Sequence, residues 1–465
     1  MERTLIKDTV NKIGEKVLLK GWVDIRRDHG KLIFLDLRDM SGKVQMVVLP
    51  TSAEAHAAAS AVRTEWAVAV AGTVVERPEK LKNPALLTGS VEIQVEGIEV
   101  LSESETPPID VAGDGLEIGE DVRMEYRYLD LRRPRLQKNI RNRHKIIKFA
   151  RDFLDHENFA EIETPILTKS TPEGARDYVV PSRLQLGHFY ALPQSPQQYK
   201  QLLMSAGMER YFQIARCFRD EDTRGDRQPE FTQLDLEMSF VGQEEVMALN
   251  ERMIVEMVKK IYPHKKIQET PFPRITYKEA MEKYGNDRPD VRNDKNDPDL
   301  LAFCWVVDFP FFEKTEEGGW TFTHNPFSAP KPEYMEALMN SKDIGDILTT
   351  QYDMVLNGFE IGGGSIRNHR PEVLQKVFEI LGYEAERIRE NFGHMLTAFK
   401  YGTPPHGGLA FGIDRVVMIL ENEASIREVI AFPKTGDGRD FMMKAPSEIA
   451  PSQLKELGIK FERGE

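Results

Sequence analysis

The sequence predicts an α+β protein in which a five-stranded barrel precedes a larger domain built on an antiparallel sheet flanked by helices. Three observations carry that expectation. Five short β-patterned runs crowd into the first hundred residues, a polar stretch with Pro and Gly follows them, and beyond it helical periodicity mixes with alternating strands. At 465 residues the chain has room for roughly two to four domains of ordinary size.

The β-patterned runs occupy residues 17–23, 32–37, 44–48, 67–71 and 91–95, and turn signals at Asp28-His29-Gly30 and Met40-Ser41-Gly42 separate several of them. Five strands of that length suit a small Greek-key barrel, for which the OB-fold is the leading candidate. We place this domain at residues 1–104. Thr106-Pro107-Pro108 and Gly113-Asp114-Gly115 then mark a linker over residues 105–122, and a second domain runs over 123–465.

The second domain opens on a basic helix. Arg132, Arg133 and Arg135 lead into Lys138, Arg141, Arg143, Lys145 and Lys148, interleaved with Ile140, Ile146, Ile147 and Phe149. A solvated face opposite a core stripe is the ordinary reading of such a charge run. Residues 211–218 and 231–240 alternate like two antiparallel strands around a charged loop. Pro371 at a first turn, Val373, Leu374, Val377, Phe378 and Leu381 on one face, and Gly382 beyond the end signal another helix.

Lys and Arg number 62 against 75 Asp and Glu, a formal charge of −13. Residues 1–105 hold 14 basic against 16 acidic side chains, so the barrel is the less repulsive surface toward nucleic acid. Cys217 and Cys304 are the two cysteines, too few for a disulfide framework or a Cys-based zinc site, which fits a reducing cytoplasm. No apolar run approaches a membrane span, and the first residues lack an apolar signal core, so neither membrane insertion nor secretion is expected.

The charged loop runs from Phe218 to Phe231. Arg219 leaves a strand whose neighbours are apolar, and its planar fork suits phosphate oxygens. Gly407 to Arg415 is a second piece, in which small residues allow close backbone approach and Arg415 sits in the first turn of an apolar helix. A third is Glu161-Ile162-Glu163-Thr164-Pro165.

In this order the three pieces resemble the motifs of class II aminoacyl-tRNA synthetases: Glu163-Thr164-Pro165 the dimer motif, Phe218 to Phe231 the second, Gly407 to Arg415 the third. Residues 126–133, 171–178, 191–197, 362–367, 401–406 and 431–434 resemble the bacterial aspartyl-tRNA synthetases, and the likeness spans nearly the whole chain. It implies ATP-dependent attachment of L-aspartate to tRNA(Asp) through an aspartyl-adenylate, in a homodimer using Mg²⁺.

The chemistry asks for cations. A carboxylate attacks the α-phosphorus of ATP, so two anions must be held together while charge develops on phosphoryl oxygens. By the resemblance Arg219 takes the α-phosphate and the substrate carboxylate, Arg415 the γ-phosphate, and Phe231 stacks on adenine. Asp220, Glu221, Gln228, Glu360, Gly412, Ile413 and Asp414 complete the nucleotide site, with Asp353 and Glu360 as Mg²⁺ ligands, hard oxygens for a hard ion. Arg367 and Lys200 face the aspartate side chain and Asp235 its ammonium, with Ser195, Gln197, His324 and Glu173 around them. Asparagine would leave those cations unpaired against a neutral amide.

On the barrel, Phe34 is the ring on which an anticodon base stacks and Gln45 an edge reader, with Arg26, Arg27 and Glu92 as further contacts. His29 stands where many strictly tRNA(Asp)-specific relatives carry leucine. Histidine there resembles the relaxed enzymes that also charge tRNA(Asn), whose product a separate amidotransferase converts. A strictly tRNA(Asp)-specific enzyme is the alternative.

Two departures from the family stand out. Asn325 follows His324 where most bacterial relatives show a second histidine, and the extra domain those relatives insert between the second and third motifs is absent near residues 294–300. Asparagine or lysine activation, and a catalytically silent RNA-binding relative, are the competing readings. Lys200 with Arg367 argues against the former, and retention of Arg219, Glu221, Glu360, Arg367 and Arg415 against the latter.

Overall fold

A computed structural model describes residues 1–170, 174–223 and 225–461. Contacts divide the chain into two compact units, Met1–Val111 and Ala112–Glu465.

The first unit is a closed barrel. Strands β1 (Lys16–Asp28), β2 (Ile33–Asp39), β3 (Gly42–Val48), β4 (Ala67–Glu76) and β5 (Val91–Ser102) close in the order β1-β2-β3-β5-β4, and helix α1 (Ala53–Ala61) joins β3 to β4. Burial alternates with period two: Ile33, Leu35 and Leu37 on β2 and Val44, Met46 and Val48 on β3 point inward, so Phe34 and Gln45 stand on the outer surface. Gly21 is required on β1, because a Cβ there would meet the Arg38 carbonyl oxygen at 2.2 Å.

The second unit is organised by an eight-stranded sheet. Helix α2 (Pro134–His156) leads to β6 (Ala160–Glu161), helix α3 (Gln197–Ser205) to the hairpin β7 (Arg210–Phe218) and β8 (Glu230–Ser239), and helix α4 (Gln243–Ile261) to β9 (Arg274–Thr276) and β10 (Phe303–Val307). Then come β11 (Gln351–Leu356), β12 (Phe359–Ile366), helices α5 (Pro371–Ile380) and α6 (Ala385–Ala398), β13 (His406–Gly412) and helix α7 (Ile413–Leu420). The strand order is β9-β10-β11-β12-β13-β8-β7-β6.

The six central strands pair antiparallel, as the sequence predicts, but both edges pair parallel: β6 with β7 and β9 with β10. The chain enters β7 and β10 only after long connections containing helices, and such crossovers let a strand return in the same direction. The predicted helix near Pro371 forms as α5, with Pro371 at its start, Val373, Leu374, Val377 and Phe378 buried, and Gly382 at φ +78°.

One face of the sheet is apolar. Leu234, Leu236 and Met238 of β8 pack there with Ile146 and Leu154 of α2, Val246 and Met253 of α4, and Val416 and Val417 of α7. The alternate residues of β8, Gln233, Asp235 and Glu237, point to the opposite face, and a strand with both faces covered is what the near-continuous burial of β8 records. The basic face of α2 is only partly solvated: Arg135 binds Glu423 and Glu428, Lys138 binds Glu421 and Arg143 binds Asp414.

Candidate active site

A cavity of about 620 Å³ opens on the polar face of the sheet. Arg219, Glu221, Gln228 and Phe231 of the hairpin line it together with Glu360 and Gly362 of β12 and Gly412, Asp414 and Arg415 at the β13–α7 junction. The two guanidinium groups that sequence reasoning singled out therefore share one space.

Arg219 lies at the hairpin mouth, its amide donating to the Pro229 carbonyl at 2.8 Å, and its guanidinium sits over the Phe231 ring with Cζ 5.1 Å from the centroid. Arg415 donates Nη1 to the Glu360 carbonyl and Nη2 to Asp226 at 3.1 Å. The buried Nε of each arginine has no partner among the described residues.

Other members of the expected nucleotide set are already engaged. The Gln228 amide holds the backbone of Lys434, accepting its N–H at 2.7 Å and donating to its carbonyl at 3.1 Å. Asp414 accepts from Arg143 and from the Thr232 amide at 3.1 Å, tying α7 to α2 and β8. Asp220 is off the cavity lining, and Ile413 is buried in the apolar core on the other face. Glu221 faces Arg227 at 3.4 Å.

Asp353 and Glu360 converge on Gly363, where a Cβ would come within 2.7 Å of the Asp353 Oδ1 and 3.4 Å of the Glu360 Oε1. Asp353 accepts from Gln351 at 2.7 Å and contacts His324 Nε2 at 3.1 Å. Burial and the neighbouring Asp353 charge raise the Glu360 carboxyl above its ordinary pKa, against the pull of Arg415 and His324. Burial alone would lower His324, but the Asp353 carboxylate outweighs it and lifts the imidazole to about 9. Among the described residues no three His, Cys, Asp or Glu side chains gather as a ready metal cage. Two carboxylates held together at the cost of a raised pKa do suit an ion that takes its remaining ligands from phosphate and water.

Beyond Gln233 and Ala410 in the cavity wall, four buried charges form a closed quartet. Lys200 donates to Asp235 at 2.9 and 3.1 Å and lies 3.4 Å from Glu237; Arg367 donates Nε and Nη2 to Glu237 at 2.9 and 3.1 Å and Nη1 to Ser365 at 2.9 Å. All four are at most 3 % exposed. The two cations outweigh the cost of burial and hold Glu237 below the usual carboxylate range, whereas burial dominates at Asp235 and raises it. Three of the five N–H groups of Arg367 are used, and the remaining two have no partner among the described residues.

Sequence reasoning passed over Glu237, Gln233 and Gln194. The signal for the first two is the period-two spacing of Gln233, Asp235 and Glu237, which places all three on one face of β8. Ser195 lines a second cavity of about 270 Å³ with Gln198 and His394. Gln197 is partly buried, with its Nε2 unpartnered among the described residues. Glu173 lies outside the described residues. Asn325 is a turn former: its side-chain Oδ1 accepts from the Phe327 amide at 3.0 Å and the Ser328 hydroxyl at 3.3 Å.

On the barrel, the exposed ring of His29 meets Phe34 edge to face at 5.7 Å. Gln45 is held between Glu92, to which its Nε2 donates at 2.9 Å, and Arg77, from which its Oε1 accepts at 3.0 Å. Arg26 pairs with Asp28 at 2.8 Å and Arg27 with Asp36 at 3.0 Å.

Residues 119–436 match the family described as tRNA synthetases class II (D, K and N), and residues 17–101 match the OB-fold nucleic acid binding domain. Among curated relatives, the aspartate–tRNA(Asp/Asn) ligase of Syntrophomonas wolfei is 42% identical, covering 97% of this chain and 97% of the relative. The aspartate–tRNA ligase of Geobacillus kaustophilus is also 42% identical, covering 99% of each chain. Among solved structures, the asparaginyl-tRNA synthetase of Pyrococcus horikoshii in complex with asparaginyl-adenylate shares the fold, with a TM-score of 0.76 at 24% identity over 94% of this chain and 98% of that one.

Proposed function

This chain belongs to the class II tRNA synthetases of the D, K and N group, and from that membership we propose an aspartate–tRNA ligase that activates L-aspartate with ATP and transfers it to tRNA. The observation that carries the reading is Arg219 and Arg415 lining one cavity beside a buried quartet that includes Arg367 and Lys200.

In the first step an aspartate carboxylate oxygen attacks the α-phosphorus, the bond to the bridging oxygen breaks, and pyrophosphate leaves. Arg219 neutralises the α-phosphate and draws the carboxylate toward it, Arg415 holds the far phosphates, and Phe231 offers its ring to adenine. No protein nucleophile is needed. Asp353 and Glu360 would hold Mg²⁺, whose charge would relieve the repulsion between them and screen the triphosphate. The free N–H groups of Arg367 direct the choice of side chain: a carboxylate can accept both, while an asparagine amide must turn its NH₂ against a cation. In the second step a terminal ribose hydroxyl of tRNA attacks the aspartyl carbonyl and AMP leaves.

On the barrel, Phe34 stacks on an anticodon base and Gln45 reads an edge, with Arg26, Arg27 and Glu92 as neighbours. The contact of His29 with Phe34 puts the histidine beside the base that Phe34 would stack, and supports a relaxed enzyme acting on tRNA(Asp) and tRNA(Asn). Its misacylated Asp-tRNA(Asn) would pass to an amidotransferase. Dimerisation through Glu163-Thr164-Pro165 and cytoplasmic residence belong to the same reading; among the described residues no helix is long and apolar enough to cross a membrane. Charging of purified tRNA(Asp) and tRNA(Asn) side by side tests it: aspartate on both supports the relaxed enzyme, aspartate on tRNA(Asp) alone ends it, and aspartate on neither overturns the ligase.

A further inference from the structure

Gln194 is only 3 % exposed and stands in the wall of the main cavity. Its carboxamide pairs with Ala175 as one strand residue pairs with another. Nε2 donates to the Ala175 carbonyl at 2.8 Å, and Oε1 accepts the Ala175 amide at 3.0 Å. The same Nε2 donates to Asp177 Oδ1 at 2.6 Å, and Ser170 Oγ donates to the other Asp177 oxygen.

The segment 174–177 is also fastened along its other edge. The Asp220 amide donates to the Arg176 carbonyl at 3.0 Å, and Arg176 Nε donates back to the Asp220 carbonyl at 3.0 Å. Asp220 follows Arg219 directly, so one short segment bridges Gln194 to the hairpin that presents the guanidinium. Gly174 and Ala175 both line the cavity; Gly174 has φ +108°, a conformation that side chains resist, and it faces Phe322 across the space.

We infer that Gln194 is a positioning residue that fixes the 174–177 segment as the cavity wall over the amino-acid end, and through Arg176 and Asp220 sets that wall's distance from Arg219. The amino-acid end is identified by continuity, since Gln194 leads directly into α3, whose Lys200 belongs to the charge quartet. The inference rests on the aspartate-activating reading above. Only an amide can do this work, because the site asks one side chain to donate twice and accept once. A glutamate of the same shape forfeits both donations, leaves the partly buried Ala175 carbonyl without its donor and sets a second negative charge against Asp177.

The test uses the full-length protein and three variants, Gln194→Glu, Asp177→Asn and the double substitution, in aspartate-dependent ATP–pyrophosphate exchange. Gln194→Glu is expected to raise the KM for aspartate about tenfold or more with the KM for ATP within about twofold. Asp177→Asn alone is expected to do less, because the hold on Ala175 survives. Combined with Gln194→Glu it is expected to recover part of the loss, because the amide that Asp177→Asn introduces can donate to the new carboxylate. Hydrogen exchange of the 174–178 peptide, which needs no activity, is expected to quicken in Gln194→Glu. Parallel rises in both KM values, an Asp177→Asn effect as large as that of Gln194→Glu, or unchanged peptide exchange would each overturn the inference. An unsubstituted protein without aspartate-dependent exchange would instead remove the ligase reading, leaving peptide exchange to judge the clamp.

Discussion

Glu237 grips Arg367 along one edge of its guanidinium, Oε1 accepting from Nε at 2.9 Å and Oε2 from Nη2 at 3.1 Å, with both side chains almost wholly buried. A fork anchored on one edge presents the other in a fixed direction. The pair also closes the charge balance of the quartet.

Breaking that balance should be costly. Glu237→Gln leaves Lys200 and Arg367 against Asp235 alone, and removing one partner of a buried pair costs about 3–5 kcal/mol. Denaturant unfolding of the variant should show a loss of that order, and Glu237→Gln combined with Arg367→Met should lose less than the sum of the two single changes. Additive losses would mean that the two side chains do not act as a pair.

Arg219 and Arg415 should matter for rate far more than for stability, because both line the cavity. Replacing Arg219 by Ala should lower the exchange rate about 10²–10³-fold, the usual size for losing one fixed electrostatic contact to a transition state. Arg415→Lys keeps the charge but loses the fork, so it should raise the KM for ATP with a smaller fall in kcat. Steady-state exchange over a range of ATP concentrations separates the two.

The barrel residues should leave activation untouched. Phe34→Ala should weaken tRNA binding by about 1–3 kcal/mol, the usual worth of a base stacked on an aromatic ring, with no change in ATP–pyrophosphate exchange. His29→Leu should lower charging of tRNA(Asn) relative to tRNA(Asp). Equal losses on the two tRNAs would detach His29 from the choice between them.

His406 gives the catalytic unit an acid limit. Burial drives its imidazole from 6.5 down to about 4, so it stays neutral in the fold, with Nδ1 donating to the Pro404 carbonyl at 2.8 Å. Nε2 lies 3.2 Å from the Gln201 side-chain amide. Between about pH 6.5 and 4 the unfolded chain holds a proton at this position that the folded chain lacks, so stability is fully present above that window and falls as the pH drops through it. The loss reaches about 3 kcal/mol. Denaturant unfolding between about pH 7 and 4 should show this slope, and His406→Gln should flatten it.

Legibility in the sequence followed physical range. The barrel strands and helix α5 are written in local periodicity and turn residues, and they form where the pattern places them. Arg219 and Arg415 could be picked out because their chemistry sits in short contiguous pieces, Phe231 and Glu360 followed only from the family resemblance, and the fold brings all four to one cavity. Glu237 escaped notice because its significance arises only when β8 and β12 place it against Arg367, 130 positions away. Asp414 and Gln228 lie in the right pieces, yet their polar atoms serve α2 and the Lys434 backbone, a division that only tertiary contact decides. The parallel edges of the sheet were hidden for the same reason, since pairing direction depends on where long connections return the chain.

On the reading proposed above, two arginines grip one triphosphate beside a pocket that selects a negative side chain. Pyrophosphate exchange into ATP by the purified protein, run with aspartate, asparagine and lysine in turn, tests it most directly. Exchange with aspartate and at most a trace with the other two is the outcome expected; exchange driven by asparagine, or by none of the three, would contradict it.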